Sequence, residues 1–153
     1  MGMIFVGYQG IGKSTLGGKN RYIDLESGNF WVDGKRSDDW YFIYCNLAEH
    51  LSRQGYFVFT SSHEVVRNQL QRVNQRKFII SPTVGLKGEW ITRLSDRYDN
   101  TKSIKDYKAW KNAEDRYADN VLELQSDRNF EQIIISEIPY DLDALILNAV
   151  YNR

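Results

Sequence analysis

Residues 7–14 read Gly7-Tyr8-Gln9-Gly10-Ile11-Gly12-Lys13-Ser14, and Thr15 follows. The spacing G-x-x-x-x-G-K-S is the pattern of a loop that wraps phosphate. Gly7, Gly10 and Gly12 let the chain turn its backbone N–H groups inward, with those of Ile11, Lys13, Ser14 and Thr15 completing the cradle. A helix starting near Gly12 is expected to add the positive end of its dipole. Lys13 can reach the outer phosphates as a point charge, and the Ser14 hydroxyl can ligate magnesium. The alternative is a glycine-rich turn without a ligand. The loop's position between an apolar run and a helix argues against it.

A second set of chemical residues follows at Asp24-Leu25-Glu26-Ser27. Alternate residues on a strand share a face, so Asp24 and Glu26 can point the same way. Ser61-Ser62-His63 and Arg67 form a third set, with His63 and Arg67 on one helical face. An arginine fork suits phosphate oxygens, although helix capping by the serines and a solvated Arg67 are equally open. Trp90-Ile91-Thr92-Arg93-Leu94-Ser95-Asp96-Arg97 places two arginines four residues apart on one face, as a solvated basic edge also would. Lys87 and Lys102 are further cations nearby. Phe30 and Trp31, just after the acidic pair, could wall a base or sugar pocket.

These residues need a frame, and the sequence supplies one. Met3–Val6, Arg21–Leu25, Tyr56–Thr60, Lys77–Ser81 and Gln132–Ser136 are short apolar or β-branched runs that read as strands. Helical spacing fills the gaps. Trp40, Ile43, Tyr44, Leu47 and Leu51 follow a cap at Asp38 or Asp39. A capping box at Ser61–Glu64 opens a helix reaching Val73. Leu86–Asp96 reads as helical. Ile104, Tyr107, Trp110, Tyr117, Val121 and Leu124 mark the apolar face of a long helix, and Asp141 or Asp143 caps the last one. Gly17 and Gly18 weaken the helix after the loop by about 1 kcal/mol each, so it must be short. Strands alternating with helices imply an open parallel sheet, whose ligands sit beyond the carboxyl ends of the strands. Each chemical cluster above follows a strand or lies close behind one.

Composition narrows the class. The chain has 153 residues and is 42% hydrophobic, enough for one domain with its own core. Twenty basic residues balance twenty acidic ones, which argues against a general nucleic-acid binder. The single cysteine, Cys45, excludes an internal disulfide and fits a reducing compartment. The apolar stretch Met1–Val6 is too short for a signal peptide or a membrane span, so the expectation is a cytoplasmic protein.

With these motifs placed, the layout resembles the small P-loop kinases of the nucleoside monophosphate, shikimate and gluconate kinase type. It looks most like the compact nucleotide-kinase-like proteins of phage and bacterial genomes. The resemblance implies a three-layer α/β fold, with a five-stranded parallel sheet of order 2-3-1-4-5 and helices on both faces. Residues 1–153 would form a single domain with a short lid at about 83–103. It implies ATP and Mg²⁺, held at Gly7, Gly10, Ile11, Gly12, Lys13, Ser14 and Thr15, with Ser14 and Asp24 on the metal. Glu26 stands where the family has a second aspartate facing the acceptor. Arg93 would cover the nucleotide base and Arg97 would reach the phosphates, as in the family's R-L-x-x-R segment. His63 and Arg67 would meet the acceptor. Tyr56–Thr60 lacks the acid that many NTPases carry there, as these kinases often do. No guanine-specific N-K-x-D motif is present.

The implied activity is transfer of the γ-phosphate of ATP to a small acceptor, preferably a (deoxy)nucleoside monophosphate, with Lys13, Arg93, Arg97 and Glu26 in the catalytic set. The alternatives are a hydroxyl acceptor (a nucleoside, a sugar or a polynucleotide 5′-end), with Glu26 as base, and a nucleotide-binding regulator without turnover. The expected partners are a nucleoside triphosphate and the acceptor, with no membrane. A monomer or homodimer, phage-encoded and working in host cytoplasm, fits the resemblance.

Overall fold

Five short apolar runs form five parallel strands in a computed structural model that describes residues 2–152. They are β1 (Met3–Gly7), β2 (Tyr22–Asp24), β3 (Phe57–Thr60), β4 (Lys77–Pro82) and β5 (Glu131–Ile135). The sheet order is β2-β3-β1-β4-β5, with helices on both faces, as the chain pattern implies. Ile4 lies opposite Val58 on one side and Lys77 on the other. Ile4, Phe5, Val6, Val58, Phe59, Ile79 and Ile80 are completely buried, as central strands covered on both faces must be.

The helices are α1 (Lys13–Leu16), α2 (Trp40–Arg53), α3 (Glu64–Leu70), α4 (Lys87–Thr101), α5 (Ile104–Gln125) and α6 (Leu142–Tyr151). Asp141 caps α6 by accepting from the Ala144 N–H. Asp39 is the N-cap of α2, without a side-chain hydrogen bond. Cys45 is buried on α2, and that burial pushes its thiol up to about 12. No helix among the described residues is long and apolar enough to cross a membrane.

Three expectations are corrected. The capping box at Ser61–Glu64 does not form: His63 is the N-cap of α3, and the Ser61 Oγ lies 2.8 Å from His63 Nδ1 instead. The helix also stops at Leu70, leaving Val73 buried in the turn beyond it. On α5, Ile104 and Tyr107 are 74% and 44% exposed, whereas Tyr117, Val121 and Leu124 are buried. Trp110 packs against the core with the later residues, so the departure from the expected face is confined to Ile104 and Tyr107. The backbone leaves helical geometry at Arg116 (φ −136°, ψ 20°), and the start of the helix borders a cleft.

Parallel strands put their carboxyl ends on one edge. Gly7, Asp24, Thr60, Pro82 and Ile135 therefore deliver residues 8–14, 25–27 and 61–63 to the same side of the sheet.

Candidate active site

The glycine loop runs from the end of β1 into α1. Gly10 (φ +85°) and Gly12 (φ +109°) adopt left-handed conformations that a side chain resists. A Cβ at Gly7 would come within 2.6 Å of Ile11 Cδ1 and 3.0 Å of Lys13 Cδ, so it would displace both side chains. From outside the loop, Trp90 Nε1 donates to the Gln9 carbonyl at 2.9 Å and the Tyr140 hydroxyl to Ile11 O at 2.7 Å. Arg93 Nε donates to Gly10 O at 2.7 Å. These bonds tie up carbonyls, while Gly7, Gly10, Gly12, Lys13 and Ser14 line a cleft of about 800 Å³. Thr15 is exposed and does not line it.

The helix behind the loop is a single turn, Lys13–Leu16. Its dipole is correspondingly small, which corrects the expected helix contribution: anion binding here rests on the loop's own amides and Lys13. Gly17 ends this turn for a steric reason. Its Cβ would meet that of Asp24 at 2.8 Å, so only glycine lets the turn press against the end of β2.

Lys13 and the two carboxylates share the cleft. Lys13 Nζ lies 3.4 Å from the Gly7 carbonyl. Burial lowers the Lys13 pKa, while Asp24 and Glu26 oppose that shift. Burial, then the neighbouring Glu26 charge, raises Asp24 to about 6, with Lys13 acting against both. Burial alone would raise Glu26 too. The hydrogen bond and charge of Lys105, 2.8 Å away, bring it below its ordinary value. The pair therefore divides its labour: Glu26 stays ionised and Asp24 is the one that takes a proton.

His63 lines the same cleft and sits edge-on to Trp40, ring centroids 5.5 Å apart. Burial, then the Arg36 and Lys13 charges, lowers its pKa, so the imidazole is neutral at pH 7. Arg97 also faces the cleft, its Nε 3.1 Å from Asp106 on α5. Burial pushes Asp106 up, but Thr101 and Arg97 hold it below the ordinary carboxylate range. Gln9 Nε2 donates to Ala109 O at 3.2 Å, so the start of α5 is fastened to the loop.

Two arginines differ from their expected places. The Arg67 guanidinium is buried and committed: Nη2 is 2.8 Å from Glu123, Nη1 is 3.3 Å from Asp127, and Nε donates to Ser62 O. It touches the cleft wall, but three of its five N–H donors and its charge are already engaged by this chain. Arg93 does not line the cleft; it lies 5.3 Å from both the Trp90 and Tyr140 rings, supporting the loop. Lys87 and Lys102 also stand outside the cleft.

Sequence reading missed Lys105, Arg36, Gln9, Asn112 and Asp106 as cleft residues. Only Arg36 had a usable signal. Asp33-Gly34 is a hairpin dipeptide, and it folds Val32 against Lys35 so that Trp31 and Arg36 meet.

The residues fit a nucleoside triphosphate with magnesium on one observation above all. The loop is held in glycine-only geometry with its N–H groups free to point into a cleft that also contains Lys13, Ser14 and Asp24. No cluster of three potential metal-ligating His, Cys, Asp or Glu occurs among the described residues. A magnesium ion here would take Ser14, Asp24 and phosphate oxygens, in the manner usual for this ion.

No protein-family model and no curated protein matches the chain. Among solved structures, it is similar to a gluconokinase from Sinorhizobium meliloti 1021, with a TM-score of 0.54 and 11% sequence identity. The match covers 97% of this chain and 88% of that one, and establishes the fold.

Proposed function

We propose that the protein is an ATP- and Mg²⁺-dependent phosphotransferase whose acceptor is a nucleoside monophosphate. The observation that carries this reading is the opening of the glycine loop, Lys13 and the Asp24–Glu26 pair onto one cleft. The similarity in fold to a gluconokinase supports a kinase-type reaction and leaves the acceptor to be argued from the site.

In this reading, the amides of Gly7, Gly10, Ile11, Gly12, Lys13 and Ser14 bind the β- and γ-phosphates, and Thr15, whose N–H donates to Gly12 O, stands outside the cradle. Lys13 neutralises their charge. Ser14 and Asp24 hold magnesium, which supplies charge neutralisation across the phosphates when bound. Transfer needs positioning and electrostatics more than covalent help from the protein. An acceptor oxygen bonds to the γ-phosphorus as the bond to the β–γ bridging oxygen breaks, and ADP leaves. Arg97 reaches the transferring group. Glu26 and neutral His63 line the acceptor side. Arg93 braces the loop rather than covering the base. The whole chain acts as one unit, with α4 and the start of α5 as its cover.

The ionised Glu26 favours a second reading, a hydroxyl acceptor whose proton this carboxylate takes. Assay of transfer from Mg·ATP to nucleoside monophosphates, nucleosides, polynucleotide 5′-ends and gluconate separates the two. Nucleoside monophosphates are expected to react, with activity lost in EDTA and lowered at least about 100-fold in Lys13→Ala. Binding of Mg·ATP with no acceptor ever phosphorylated would leave a nucleotide-binding regulator and refute the enzyme.

A further inference from the structure

We infer that the acceptor carries an oxyanion of its own and that Arg36, not Arg67, binds it. This rests on reading the cleft as a phosphotransfer site.

Three arginines line the cleft: Arg36, Arg67 and Arg97. Arg67 is held by Glu123 and Asp127, and Arg97 is anchored by Asp106 through Nε, which leaves its Nη groups for the transferring phosphoryl. No carboxylate or carbonyl among the described residues takes the N–H groups of Arg36. Its guanidinium lies beside two indoles, 3.8 Å from the Trp40 ring centroid and 4.9 Å from that of Trp31. Contacts with the ring faces use none of the five N–H donors, so the edge of the guanidinium remains for a partner. A carboxylate or phosphate is the geometric match for that edge.

The arrangement is built, not incidental. Asp33 (φ +52°) and Gly34 (φ +75°) make the tight turn that brings Arg36 back beside Trp31. Trp40 is buried and contacts Tyr44 one turn later, ring centroids 5.4 Å apart. The Tyr44 hydroxyl donates to Leu25 O and accepts from the Ser61 N–H. The indole platform is thus fixed to the same frame that sets Asp24, Glu26 and His63. A fixed cation loses little freedom on binding, which favours affinity. Partial burial lowers the Arg36 pKa below that of a free guanidinium. Arg36, His63 and Lys13 all line the same cleft, so an acceptor held at Arg36 shares it with the lysine.

The oxyanion can be the phosphate of a nucleotide or the carboxylate of a sugar acid. Titration calorimetry of the full chain with nucleoside monophosphates, the matching nucleosides and gluconate distinguishes them. The wild type is expected to bind one anionic acceptor about 30-fold or more tightly than its neutral counterpart. Arg36→Met should erase that advantage while leaving the affinity for a non-hydrolysable Mg·ATP analogue and the melting temperature unchanged, and Arg36→Lys should keep part of it. Gluconate showing the Arg36-dependent binding supports the inference and fails the nucleotide-acceptor reading. Selective anion binding without any phosphate transfer supports it and fails the enzyme reading. Equal binding of anionic and neutral acceptors, no acceptor binding, or equal weakening of both by Arg36→Met overturns it.

Discussion

Arg67→Leu tests whether the arginine behind β3 is structural or substrate-facing. The Arg67 side chain is 8% exposed and makes three polar contacts, with Glu123, Asp127 and the Ser62 carbonyl. Leucine fills much of the space but strands two carboxylates. Glu123 is 49% exposed and rehydrates, so its loss counts for little. Asp127 is only 9% exposed and keeps two donors, the backbone N–H and side-chain amide of Asn129. Breaking a buried pair by removing one partner costs about 3–5 kcal/mol, and the Asn129 bonds place this case at the low end, about 3 kcal/mol. For a chain of this size that lowers the melting temperature by about 6–12 °C. Thermal and urea unfolding measure it directly. Below the new midpoint, the KM for the acceptor should stay within about threefold of wild type. A variant that melts like wild type but has a much higher acceptor KM would return Arg67 to the substrate site and refute the burial argument.

Asp24→Asn reports on the cost of an ionised carboxylate in the cleft. The folded pKa of about 6 exceeds the ordinary 3.8, so the stability Asp24 contributes is fully present below pH 3.8 and is lost as pH rises through 6. The shift of about 2 units corresponds to at most about 3 kcal/mol, and solvent access and Lys13 reduce it to about 1–2 kcal/mol. Without nucleotide or magnesium, Asp24→Asn should therefore be the more stable protein at pH 8 and equal to wild type at pH 4; a less stable variant at pH 8 would contradict this. Arg97→Ala should lower kcat about 100-fold with less effect on Mg·ATP affinity, as expected of a donor used at the transition state. Equal losses in both would assign Arg97 to ground-state binding.

How much of this was legible beforehand depends on distance along the chain. Glycine at 7, 10 and 12 with Lys13 and Ser14 is a local pattern, and local geometry is what such a pattern records. The five strands were legible because continuous apolar runs mark strands buried on both faces, and the alternation with helices pointed to a parallel sheet. Asp24 and Glu26 were legible as a pair, since two residues on one strand end share a face.

What escaped is long-range. Lys105 reaches Glu26 across 79 positions, and Arg67 meets Glu123 and Asp127 across 56 and 60. Arg36 and Arg67 are equally basic in sequence, yet Arg67 is held by two carboxylates and Arg36 is left free beside two indoles. The apolar spacing of α5 likewise ran unbroken through Ile104 and Tyr107, although that end of the helix overhangs a cleft. The sequence alone determined which backbone could cradle phosphate, because that is settled by the conformations open to eight consecutive residues. Only tertiary structure decided which charges are available to a ligand, because a charge is spent or spare according to what the docking of distant elements brings within about 4 Å of it.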